Sequence, residues 1–474
     1  MKKTMLTVLS LLLVVVMALA LVACSEKPAD NNANTSKVGA NDPKTDVSIY
    51  KAEGFEKSQL KNQVSWDGIN AFPIKKADMP IDEARKICVD FFNYAKTATW
   101  IPNDNYGIWS DATIHTDGSE PDRHMDGGMT YGGLPYISWA TGNIYRLMDY
   151  IDPNTGVVDM AKAGDVPLAF GNQCANGAYV GFSRVINSAK YGVTATMVVA
   201  DGFLRLGNYT YSDAQVQRYS EEYGTPHIVK ENGTDVMYES YALLKPADGL
   251  VNWTTAGHVM MAISEAHVEY LDEAKTKIDG NKSYVYITDQ HVQFSNYTHP
   301  DGGDQCLASN YINRKFTFQQ LLSSSYLPFT FPEWTGDDKI EQTECGMNVG
   351  STVYAKGVVE EDENRTFKNT AENVPATITA SQLFKAKITS NYYIMDLYFQ
   401  VYNADGVEVY KLASRPIKDA GVKEFQFFKA GDSKEEWGSL DVLDPTKEYT
   451  VKISAQLGTG ERPVVWEGKL AWDK

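Results

Sequence analysis

The sequence predicts an α+β fold followed by an all-β module, and three observations carry that prediction. Helical periodicity occupies the first half of the folded part, between residues 80 and 189. Segments rich in β-branched and aromatic residues replace it between 193 and 289. Beyond Val349 every apolar segment alternates with period two.

Each element follows from its residues. Pro80 to Lys96 is expected as a helix, with proline in its first turn and Ile81, Ala84, Cys88, Phe91 and Ala95 on one apolar face. Cys88 is therefore read as a core residue. Thr97 to Met129, rich in Asp, Asn, Gly and Trp, reads as long loops. Two more helices are expected at 142–150 and 175–189. Strands are expected at Thr194–Ala200, His258–Ile263 and Tyr284–Thr288. Helices first and strands afterwards indicate an α+β domain. In the C-terminal part, Ile394 to Tyr402 and Tyr449 to Ile453 alternate, and Asn403-Ala404-Asp405-Gly406 supplies a hairpin turn. The region 349–474 is expected to be a separate β-sandwich of immunoglobulin-like architecture.

The N-terminus carries an export signal. Lys2 and Lys3 precede an apolar run from Leu6 to Leu21, too short for a bilayer-spanning helix, which needs about 20 residues. It ends in Leu21-Val22-Ala23-Cys24, which resembles the lipobox of bacterial lipoproteins. That resemblance implies cleavage before Cys24 and a lipid on its sulfur, anchoring the chain to the membrane, outside the cytoplasm. Residues 1–23 are then the signal peptide. Residues 24–78, polar and poor in apolar side chains, are a disordered tether.

About 450 residues remain after the signal, enough for two or three domains. The formal charge is −17, or −19 once Lys2 and Lys3 are lost. No basic excess exists to neutralise phosphates, so nucleic acid is not an expected partner. Cys88, Cys174, Cys306 and Cys345 are scattered without a Cys-x-x-Cys pair, which argues against zinc. A Cys306–Cys345 disulfide is open in an exported protein. His115, His124, His227, His291 and His299 lack metal-ligand spacing, and no cofactor is expected.

Two segments carry chemistry. In Gly171-Asn172-Gln173-Cys174-Ala175-Asn176-Gly177, a polar loop ends where an amphipathic helix begins. A thiol at a helix N-terminus meets the positive end of the macrodipole, which favours the thiolate over the ordinary thiol of pKa about 8.5. Nearby backbone N–H groups can hold an oxyanion. A structural cysteine opening a helix is the equal alternative when this segment stands alone. The second segment is Leu244-Lys245-Pro246-Ala247-Asp248-Gly249-Leu250-Val251, followed by Gly257-His258-Val259, which sets an imidazole at the head of a strand.

The order Gly133-Leu134-Pro135-Tyr136, Gln173-Cys174, Leu-x-Pro-x-Asp-x-Leu-Val and Gly-His-Val resembles the papain-like cysteine hydrolases of the NlpC/P60 and CHAP type. The resemblance covers about residues 80–335, and the catalytic domain is set at 79–340. It implies helices packed on an antiparallel sheet, with Cys174 as nucleophile, His258 as its base and a polar third residue orienting the imidazole. Asp289 is preferred for that third role because a strand ends there and a carboxylate stabilises imidazolium. Gln290 and His267 remain alternatives, Tyr136 is a candidate hydroxyl in the site, and Gln173 a candidate oxyanion donor. Many such enzymes cut amide bonds in cell-wall peptides, so a peptidoglycan peptide is the expected substrate. The chain departs from the family's usual Asp-Cys-Ser-Gly, carrying Gln173-Cys174-Ala175-Asn176, and the interval from Tyr136 to Cys174 is long. Two other readings stay open: a surface binding or adhesion lipoprotein whose papain-like domain is inactive, and acyl transfer to an amine in place of hydrolysis.

Overall fold

The computed structural model describes residues 72–108, 123–125, 127–128, 131–134, 144–163, 171, 173–189, 198, 201–254, 257–291, 305–306, 309–414, 422–426 and 440–473. The fold is mixed α and β, with several sheets. The signal, the lipobox with Cys24, most of the tether, Tyr136 and nearly all of Thr194–Ala200 lie outside the described residues.

The chain divides into two units. The first comprises the described residues of Val89–Tyr179 and Gly192–Pro332. The second comprises those of Ile69–Cys88, Val180–Tyr191 and Glu333–Lys474. The divide falls within helix α1 (Ile81–Thr97) and within helix α2 (Cys174–Phe182). This differs from the partition expected at 340–349. Glu333 accepts hydrogen bonds from the backbone of Asn187 and Ser188 (2.9 Å each), and Lys75 Nζ donates to the Glu341 carbonyl (2.6 Å). Such long-range polar ties tether early segments to the C-terminal sheet, and no local sequence pattern announces them.

The first unit is built on six antiparallel strands. In chain order they are β1 (Leu204–Arg205), β2 (Gly249–Trp253), β3 (Gly257–Ala262), β4 (Tyr284–His291), β5 (Ser309–Thr317) and β6 (Leu327–Thr330). Their spatial order is β5-β4-β3-β2-β6-β1. Val251, Val259, Met261, Val285, Ile287 and Phe329 are fully buried in this sheet. Gly249 faces Phe329 in the β2–β6 ladder, and a Cβ there would stand 1.9 Å from the Phe329 ring, so only glycine lets the aromatic lie flat on the strand. Asp248 builds the turn before β2. Its carboxylate accepts from the Lys245 backbone (2.8 Å) and the Thr330 hydroxyl (2.6 Å), and Ala247 takes a positive φ of 63°.

Three expectations need correction. The interval expected to be strands contains a 17-residue helix, α3 (Thr225–Tyr241). Pro226 starts it and Ile228, Val229, Met237 and Tyr241 are buried along it, but Gly233, at φ +78°, kinks it and breaks the periodicity on which a sequence reading depends. Helix α2 ends at Phe182 instead of continuing to 189: Arg184 N bonds Gly181 O and Val185 N bonds Phe182 O, so the bonds tighten to i−3 and the helix closes in turns. Within the expected loops of 97–129, Thr99–Pro102, Tyr106–Ile108 and Arg123–Met125 form short strands.

The second unit holds a nine-stranded sheet. Its strands are β7 (Glu344–Val349), β8 (Thr352–Val359), β9 (Phe367–Asn369), β10 (Thr377–Thr379), β11 (Lys387–Tyr402), β12 (Glu408–Ser414), β13 (Val422–Gln426), β14 (Tyr449–Leu457) and β15 (Val464–Ala471). The 16-residue β11 organises it, pairing β7 and β13 along its first part and β14 and β12 along its second. The boundary expected at 349 thus falls at the end of a paired strand. The turn at 403–406 forms as anticipated: Asn403 Oδ1 accepts from Asp405 and Val407, and Gly406 has φ +75°. Met347, Ile388, Leu397, Phe399, Ile453 and Trp466 lie in one apolar core. Cys345 is a free thiol buried in that core, and the side chain of Cys306, with which a disulfide was left open, lies outside the described residues.

Candidate functional site

Cys174 is the first residue of α2, and the Gln173 carbonyl accepts the first helical bond, from Gly177 (2.8 Å). This puts the thiol at the N-terminal, positive end of the helix, where negative charge is favoured. Cys174 is 4% exposed, and its sulfur donates weakly to the Gly257 carbonyl (3.9 Å) at the head of β3.

His258 follows at the second position of β3. Its backbone N–H donates to Asn252 Oδ1 (3.0 Å) on β2, directly opposite in the ladder, while Asn252 Nδ2 donates to the Ser324 carbonyl (3.0 Å). Asn252 thus fixes the start of the strand from which the imidazole projects. On β4, Asp289 Oδ2 meets His258 Nε2 at 2.6 Å, a charge-assisted length. The side chains are 14% and 2% exposed, so water competes little for this bond. Burial pulls the His258 imidazole down, but hydrogen bonds to Asp289 and to Cys174, with their charges, outweigh it and raise His258 from 6.5 to about 10. Carboxylate, imidazolium and thiol therefore form one connected chain of titratable groups. The Tyr326 phenol lies within their field. Burial first, then the Asp289 charge, lifts it above the ordinary tyrosine range against the opposing Arg314, so it stays neutral.

The remaining candidates separate cleanly. Gln290 is buried, and its Nε2 donates to the Leu134 carbonyl (3.0 Å), which holds the Gly133–Leu134 segment together with Trp100 Nε1 on the Gly133 carbonyl (2.9 Å). His267 does not join the site. It is 47% exposed, pairs with Glu269 (3.2 Å) and stacks on Tyr284 (4.7 Å), five residues before Asp289 and so roughly 16 Å away along the strand. Gln173 contributes its carbonyl as helix cap, and its side chain is half-buried. Sequence reasoning missed Asn252 and Tyr326. Asn252 was findable as the polar residue paired with His258 across β2 and β3, whereas Tyr326, which feels the Asp289 and Cys174 charges, stands in a segment that no motif marks.

Among the described residues, no group of three or more His, Cys, Asp or Glu is arranged to hold a metal ion, and no helix is long and apolar enough to cross a membrane. Comparison with family models, curated proteins and solved structures yields no match.

Proposed function

We propose that this chain is a lipid-anchored thiol hydrolase of papain-like design that cleaves an amide bond in cell-wall peptides. The observation that carries the reading is the buried His258–Asp289 bond of 2.6 Å beside a helix-opening Cys174 that also hydrogen-bonds His258. A helix presenting its N-terminal thiol to an antiparallel sheet, with imidazole and carboxylate on neighbouring strands, supports the papain-like assignment. The paired strands around β11 and their apolar core support a sandwich of immunoglobulin-like type for the C-terminal sheet.

The chemistry follows from the geometry. His258 takes the proton of Cys174, and the thiolate attacks the amide carbonyl. Backbone N–H groups at the start of α2 stabilise the oxyanion as the tetrahedral adduct forms. The imidazolium then protonates the leaving amine as the C–N bond breaks, leaving a thioester. A water, deprotonated by His258, attacks that thioester, the carboxylic acid departs and the thiol is restored. Asp289 keeps the imidazole in the productive tautomer and stabilises its charged form throughout.

Digestion of purified peptidoglycan by the full chain and by Cys174→Ala tests this. Release of new carboxyl and amino ends by the wild type alone is expected. Equal release by both proteins removes the thiol mechanism, and release by neither removes the substrate and promotes a binding role. A product joined to an added amine would instead reveal acyl transfer.

A further inference from the structure

A lysine is buried behind the carboxylate. Lys96, on the last turn of α1, is 1% exposed. Its Nζ donates to Thr288 Oγ1 and reaches the Asp289 carbonyl at 3.5 Å, with the Phe92 ring centred 4.1 Å away. The Thr288 hydroxyl passes the chain on to Asn93 Oδ1 (2.6 Å), one turn back on the same helix. Thr288, Asn93 and Asp289 are all buried. The ammonium is thus tied to the two residues of β4 that set the carboxylate's position.

The charges explain why a lysine belongs there. With the proton on His258, the site holds a thiolate, an imidazolium and a carboxylate, one negative charge in excess. An excess buried charge is costly unless it is paired. Resting on the reading of Cys174, His258 and Asp289 as a working triad, we infer that Lys96 is a positioning residue of that triad: it anchors β4 at Thr288 and Asp289 so that Asp289 faces His258, and it supplies the second positive charge that makes the four-group cluster neutral. The titratable groups that face it are Asp289 on β4 and, through Asp289, His258 on β3 and Cys174 on α2, while Phe92 and Asn93 on its own helix are uncharged. Burial lowers Lys96 to about 7 against the opposing pull of Asp289. Its charge is therefore present at pH 6 and largely gone by pH 8, so its support for the thiolate is pH-dependent in that window.

The test follows iodoacetamide alkylation of Cys174 by mass spectrometry from pH 5 to 9. It uses full-length wild type, Lys96→Met, Thr288→Val and His258→Ala. Lys96→Met keeps the volume and removes the charge. It should slow alkylation about three- to tenfold at pH 6, with the deficit fading by pH 8. Thr288→Val, which keeps the ammonium but removes its acceptor, should shift the profile the same way by a smaller factor. If Lys96→Met matches the wild type while His258→Ala does not, or if its deficit is equal at every pH, the inference is overturned and the triad stands. If His258→Ala also matches the wild type, the failure belongs to the triad itself. Should Lys96→Met not fold, Thr288→Val decides, and a wild-type profile for it overturns the inference.

Discussion

In the unit organised by β11, the carboxylate of Glu333 is 2% exposed and is held by the backbone N–H groups of Asn187 and Ser188 and the Ser188 hydroxyl (2.7 Å). In the unit organised by β3 and β4, the equally buried carboxylate of Asp289 is held by an imidazole. Backbone donors bring no proton to exchange, so the Glu333 site is built as a structural anchor. An imidazole can, so the second arrangement keeps a proton in play. The thiols divide the same way. Cys88 and Cys345 have their protons fixed by burial, which pushes Cys345 up to about 12 and Cys88 higher still. Cys174 is as buried but hydrogen-bonds His258. Burial alone therefore does not mark a functional group; a titratable partner does.

The largest effect should come from cutting the chain. The second unit is assembled from three separated segments, and a fragment ending at residue 340 removes most of the unit to which 69–88 and 180–191 belong, its whole nine-stranded sheet included. Such a fragment should lose cooperative melting by circular dichroism. A sharp transition like that of the full chain would break the comparison by showing that the anchors of the second unit are dispensable.

Next in size is the loss of the imidazole. His258→Ala should lower peptidoglycan hydrolysis by roughly 10²–10⁴-fold, the ordinary worth of a general base. The same variant should leave Cys88 and Cys345 as unreactive to iodoacetamide as before. Labelling of those two thiols in the folded wild type would dissolve the contrast between the regions.

Much of this contrast was legible in the sequence, for reasons that differ by residue. Cys174 and His258 announce themselves locally, as a thiol at a polar-loop-to-helix junction and an imidazole at a strand head. Asp289 was legible because a β-branched and aromatic run leads up to it, although the strand does not end there as expected but continues to His291. Lys96 left a fainter signal: it stands four residues after Phe92 and eight after Cys88, on the apolar stripe, where a lysine is out of pattern. The helix α3 was hidden by Gly233, whose positive φ interrupts the very period that reveals helices. Glu333 and its partners were illegible. Residues 187 and 333 are joined only by folding, and nothing near either one in sequence calls for the other.

Removing the backbone-held carboxylate sharpens the comparison from the structural side. Glu333→Ala takes the acceptor from two partly buried N–H groups and a hydroxyl, which should cost about 2–3 kcal/mol in urea unfolding. Glu333→Gln, which keeps an acceptor oxygen, should cost less. If the two cost the same, the charge and not the acceptor geometry holds this site, and Glu333 is of the same kind as Asp289.

The smallest effect is the most discriminating, because it counts protons. Alone, a histidine whose folded value is raised from 6.5 to about 10 gives stability that is fully present below 6.5 and lost as pH rises through 10. In the wild type the partner thiol changes that window. If the folded pair shares one proton, as proposed, then between about 6.5 and 8.5 the unfolded chain keeps one proton on the thiol and the folded pair keeps one on the imidazole, so stability has no slope from this pair. Above about 8.5 the unfolded thiol ionises while the folded pair holds its proton until about 10, and stability falls. The whole loss amounts to about 1–2 kcal/mol, since each pH unit is worth about 1.36 kcal/mol per proton. Cys174→Ser removes the titrating partner, so its loss should begin near 6.5. Urea midpoints of the two proteins from pH 6 to 10 provide the measurement. Coincident onsets would show that Cys174 and His258 do not share a proton, and would leave His258 and Asp289 as an ion pair of the same structural kind as the Glu333 anchor.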